Sequence, residues 1–194
     1  LTFLSGARRQ IFMVFAGFMM VEKFGYDVST ITALYLFNHA INIFLAPRIG
    51  RLISHWGERK ALVFEYSGLI LVFLAYAFVT NDKLAGVLYV IDHLFFAFAI
   101  GIKSYFQKIA NPKDMAATAS VSFTINHIAA VVIPVVFGIL WLTSPATVFI
   151  AGAGMAALSL FASFNIPREP DIGNETVKGP RFPEDDVLIQ TKIA

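Results

Sequence analysis

Nine residues able to carry charge, exchange protons or bind polar groups strongly stand inside otherwise apolar runs: Arg8, Arg9, Asn38, His39, Asn42, Asp92, His93, Asn126 and His127. A guanidinium offers a fixed charge and forked donors to an anion. An imidazole changes charge near neutral pH. A carboxylate does so wherever burial or a neighbouring charge moves its affinity for protons. The adjacent Asp92 and His93 read as a proton-handling pair. Arg8, Arg9, Asn38, His39, Asn42, Asn126 and His127 read as a binding set for a small polar solute, with a lean towards anions. Simpler roles compete. Asn38 and Asn126 can bridge helices for about 0.6 kcal/mol each, His39 and His127 can pack, and Asp92 can form a structural ion pair with Arg8 or Arg9.

The weight of these residues depends on the elements that hold them. The chain has 194 residues, 57% hydrophobic and only 14% charged, with a mean hydropathy of +0.70. Soluble domains carry about 25% charge, and here ten of the charged residues lie in the last 28 positions. The rest is of membrane composition. Apolar runs near 1–22, 29–49, 61–79, 84–102, 116–142 and 145–165 are each long enough for a span of about 20 residues. Their length and uniform apolarity exclude the period-two pattern of a membrane barrel. The expected fold is therefore an all-α integral membrane bundle of six transmembrane helices. Ionisable groups in such helices are costly unless a partner or a cavity receives them. At about 1.5 Å per residue, His39, Asp92 and Asn126 lie roughly 13–16 Å from the nearer ends of their runs, close to the midplane.

Other features narrow the reading. Cysteine is absent, which removes disulfides, thiolate metal sites and cysteine nucleophiles. A net charge of +2 gives no basic field for nucleic acid. Pro134 and Gly138 would permit a kink in the fifth run, and Gly152 and Gly154 suit close helix packing. Glu65 falls within about a turn of one membrane face and is set aside. Eleven lysines and arginines flank the second and fourth connections or lie in the tail, against Lys23 and Lys83 on the other side. By the positive-inside rule both ends face the cytoplasm, and the expected location is a bacterial inner (plasma) membrane. Residues 167–194, rich in Pro, Gly and acidic side chains, read as a disordered cytoplasmic tail. Its Asn174-Glu175-Thr176 would then have no glycosylation role.

The second connection reads Gly50-Arg51-Leu52-Ile53-Ser54-His55-Trp56-Gly57-Glu58-Arg59-Lys60-Ala61-Leu62. It resembles the G-x-L-a-D-r-x-G-r-k-x-x-l loop of major facilitator superfamily transporters. Gly50, Leu52, Gly57 and Leu62 match in register, and the basic pair Arg59 and Lys60 falls one place late. Ser54 replaces the family's aspartate and Glu58 a basic residue, departures that suit the weaker second copy of the motif and bring its gating salt bridge into question.

The resemblance implies that residues 1–166 are helices seven to twelve of a twelve-helix transporter, with Leu1 a cut end and an N-terminal six-helix half as the missing partner. In that family the first, second, fourth and fifth helices of each half line the cavity, the four that carry the polar residues here. The implied function is secondary transport of a small polar, anion-leaning solute by alternating access, coupled to protons. It would have a bilayer as its setting, no cofactor, no nucleic-acid partner and no enzymatic role. The absence of a G-x-x-x-x-G-K-[ST] loop agrees with gradient-driven rather than ATP-driven work. The alternative is an intramembrane metalloenzyme with His39, His93, His127 and Asp92 as ligands.

Overall fold

The computed structural model describes residues 1–179, and up to Ser163 these form six helical rods joined by short turns. The first rod is α1 (Thr2–Ile11), a π-helical turn at Phe12–Ala16, and α2 (Gly17–Glu22). The second and third are α3 (Val28–Trp56) and α4 (Glu58–Phe78). The fourth is α5 (Asp82–Phe96), a 3-10 turn at Ala97–Ala99, and α6 (Ile100–Ile109). The fifth and sixth are α7 (Met115–Thr143) and α8 (Pro145–Ser163). Among the described residues, five helical stretches are long and apolar enough to cross a membrane, the fourth rod by running through its 3-10 turn; the first rod reaches a similar length only through its π-turn.

Local chemistry sets the ends. The Asn81 side chain accepts the Leu84 amide at 3.0 Å and opens α5, and Pro145 occupies the first turn of α8. Gly57 ends α3 at φ +84°, ψ 152°, a conformation that side chains resist.

α4 and α8 lie against each other along much of their length, and α1 packs on α7 and α8. In lipid, apolar burial between helices gains little transfer free energy, so close fit decides which faces meet. Gly152 supplies that fit. A Cβ there would come within 2.8 Å of the Phe73 ring, and Tyr76 stacks on Phe149 at 5.2 Å. Gly154 meets nothing within 4 Å, so only one of the two candidate packing glycines is used.

Three features differ from the sequence expectation. The second and fourth runs continue as helix through Gly50–Trp56 and Lys103–Ile109, stretches expected as loop. Polar residues at a membrane surface lose apolarity without losing helix propensity, so hydropathy ends a span before the helix ends. α7 runs unbroken through Pro134. The irregular turns are instead at Phe12–Ala16 and Ala97–Ala99, where neither proline nor glycine marks them. Residues 167–179, expected to be a free tail, fold back on the bundle. Tyr105 donates to the Glu175 carbonyl, and Asn165 bonds Lys178 through both ends of its amide, at 2.7 and 3.0 Å. The remainder of the expected tail, 180–194, lies outside the described residues.

Candidate functional site

A helix turns about 100° per residue, so adjacent side chains do not share an environment. Three adjacent pairs show the consequence. Arg8, Asn38 and Asp92 are buried, while Arg9 and His39 are exposed and His93 is half-buried. The residues singled out by sequence thus sort into a closed cluster and an open face.

The closed cluster is built around Arg8. Its Nε donates to the Leu4 carbonyl at 3.2 Å, Nη2 stands 3.9 Å from Glu65 Oε1, and Cζ lies 4.6 Å from the centre of the Tyr66 ring. Asp92, on α5, is buried as well, with both carboxylate oxygens unpartnered among the described residues. Arg8, Glu65, Tyr66 and Asp92 are all fully buried. The Arg8–Glu65 contact is an ion pair beyond hydrogen-bond length. Seven buried polar atoms of these four residues have no hydrogen-bond partner among the described residues: Nη1 and Nη2 of Arg8, both carboxylate oxygens of Glu65 and of Asp92, and the Tyr66 hydroxyl. One guanidinium cannot cancel two carboxylates, so a fully ionised trio would be a net buried anion, a costly state in a low-dielectric interior. One added proton makes it neutral.

The open face holds His39 and His93, whose ring centres are 6.5 Å apart, with Tyr35 bridging at 4.1 Å from His39 and 6.4 Å from His93. His39 Nδ1 lies 3.0 Å from the Tyr35 carbonyl and His93 Nδ1 lies 3.2 Å from the Tyr89 carbonyl. A carbonyl only accepts, so each Nδ1 carries the hydrogen and each Nε2 is left to receive a proton or a donor. Arg9 is exposed on α1. One turn before Arg9, Gly6 allows Asn126 of α7 to approach closely: a Cβ at Gly6 would overlap the Asn126 side-chain oxygen.

The remaining candidates lie apart. Asn38 is buried with both amide atoms unpartnered among the described residues, and Asn42 is half-buried. His127 is exposed, its ring 3.9 Å from Phe123 and its Nδ1 2.9 Å from the Phe123 carbonyl. In the motif segment, Gly50 and Leu52 lie on the last turns of α3, Gly57 makes the break, Arg59 is half-buried and Lys60 exposed. Glu58, the residue that departs from the motif, is buried and accepts Lys108 Nζ and Ser104 Oγ, each at 2.7 Å.

Sequence reasoning missed Glu65, Tyr66 and Glu58. Glu65 lies two turns inside α4, because that helix begins at Glu58 and not at Ala61. Its signal was available: an acidic residue inside an apolar run that also contained Tyr66 and Ser67.

Long apolar helices without strands define a multi-pass helical membrane protein, among the described residues. Residues 1–134 match the family model described as Major Facilitator Superfamily, and the chain belongs to that family. Comparisons with curated proteins and with solved structures gave no match. Membership supports, in general terms, a role in secondary transport.

Proposed function

We propose that the chain is the C-terminal six-helix half of a proton-coupled transporter for a small polar, anion-leaning solute, working by alternating access with a second half across the open face. Arg9, Asn126 and His39 contact the solute, His93 stands between solute and interior, and the Arg8–Glu65–Asp92 trio holds the coupled proton. This assignment moves Arg8 from the solute to the trio and adds Glu65. Lys and Arg placement supports a cytoplasmic C-terminus.

The observation that carries the reading is the single helical step from Asp92 to His93, which joins a buried, charge-imbalanced cluster to an exposed imidazole face. Coupling requires that conformation alter proton affinity and that the proton favour one conformation. A carboxylate whose partner sits at 3.9 Å meets that requirement, because a small shift changes its compensation strongly. The metal-centre alternative has less support: no group of three or more His, Asp or Glu able to hold a metal occurs among the described residues.

The test is reconstitution of the complete two-half transporter in liposomes with an imposed pH gradient. Asp92→Asn and Glu65→Gln should each abolish uphill accumulation yet preserve exchange of solute down its own gradient. Accumulation by both variants with the wild-type pH dependence would defeat the coupling assignment.

A further inference from the structure

At the end of the bundle opposite Lys23 and Lys83, a cavity of about 1130 Å³ lies between the α3–α4 turn and residues 164–171. Its rim carries Arg59, Lys60, Lys108 and Arg168 against Glu58, Glu169 and Asp171. The charges are not equally available. Lys108 and Glu58 cancel each other at 2.7 Å, which leaves Glu169 and Asp171 against the other three cations. Arg59, Lys60 and Arg168 form no salt bridge among the described residues. The rim therefore presents three free cations and a net positive charge.

Inward of this rim the wall becomes apolar. Val63, Phe64 and Phe164 line it, with Phe64 46% and Phe164 45% exposed, and Trp56 stands at the edge. Phe64 lies about one turn further along α4 than Lys60, so the cavity grades from cationic at the membrane surface to apolar within it. Gly57 makes the arrangement a built one. Its positive φ turns the chain within van der Waals reach of the Arg168 carbonyl oxygen, and Arg59 and Arg168 line the same opening. A soluble anion has no use for the apolar wall. An acyl chain does, and tryptophan at the edge suits the headgroup level.

We propose that this cavity holds an anionic phospholipid, its phosphate against Arg59, Lys60 and Arg168 and one acyl chain along Phe64 and Phe164. Basic pockets between transmembrane helices at the cytoplasmic side suit such headgroups.

The experiment counts lipids retained by the purified, delipidated protein in native mass spectrometry, during titration with phosphatidylglycerol, phosphatidylcholine or glycerol phosphate. One phosphatidylglycerol should be held in preference to phosphatidylcholine, and glycerol phosphate should not displace it. Arg59→Gln, Lys60→Gln and Arg168→Gln should each lower that preference by about fivefold, the exposed Arg168→Gln serving as the variant least able to disturb folding. Lys103→Gln with Lys113→Gln, two exposed cations away from the cavity, should leave it unchanged. Equal retention of phosphatidylcholine overturns the proposal. So does an equal loss in the Lys103/Lys113 variant, which would mean diffuse attraction, or displacement by glycerol phosphate, which would mean a site for soluble phosphates.

Discussion

The Arg8–Glu65–Asp92 cluster and the Arg9–His93–His39 face are one residue apart in sequence on two different helices, yet their physical situations are opposed. In the cluster, burial is complete and polar atoms outnumber partners, so its members depend on one another's charge. On the face, each imidazole is oriented by a local carbonyl, and its free nitrogen points to whatever comes next. The difference teaches that a polar pair within an apolar run is two pieces of information. One residue faces the packed interior, and its neighbour faces outward from it.

Breaking the cluster should have the largest effect. Arg8→Leu leaves two buried carboxylates without their cation, and loss of one partner of a buried pair costs about 3–5 kcal/mol. Thermal unfolding in detergent should show a correspondingly large loss; a variant as stable as the wild type would mean that the trio is already neutral without Arg8. A smaller effect lies at the junction of the two regions. Gly6→Ala forces the end of the exposed Asn126 side chain aside, at a cost of about 1 kcal/mol, the lower end of the overpacking range. In an Asn126→Ala background most of that cost should vanish, and persistence of the full cost in the double variant would place the clash elsewhere. The smallest change in stability belongs to the open face. His39→Gln should stay within about 0.5 kcal/mol of wild type, as exposed substitutions do, while weakening solute binding by the complete transporter. A large loss of stability there would mean that His39 is part of the packing and erase the contrast.

The six apolar runs were legible because a bilayer imposes length and apolarity on any helix that crosses it. Helix ends were less legible: Gly50–Trp56 and Lys103–Ile109 are polar enough to read as loop but remain helical. The candidate set was legible only as polar residue types inside apolar runs. Its division was not, since hydropathy carries no information about which face of α3 or α5 meets a neighbour. The contacts of segment 167–179 were not legible, because composition describes the average tendency of a chain, whereas Asn165 and Tyr105 supply particular partners.

The sequence by itself determined the membrane class, the helical architecture, the family resemblance through Gly50, Leu52 and Gly57, and the inventory of groups able to move charge. These follow from local composition and spacing, which the solvent reads one segment at a time. Only the tertiary structure decided that Arg8 meets Glu65, that Asp92 is buried while His93 turns to His39, and that Glu58 is held by Lys108. Pairing is a property of helix rotation and packing, because charges on different helices become partners only when close contacts such as Gly152 against Phe73 and Gly6 against Asn126 fix how the rods face one another.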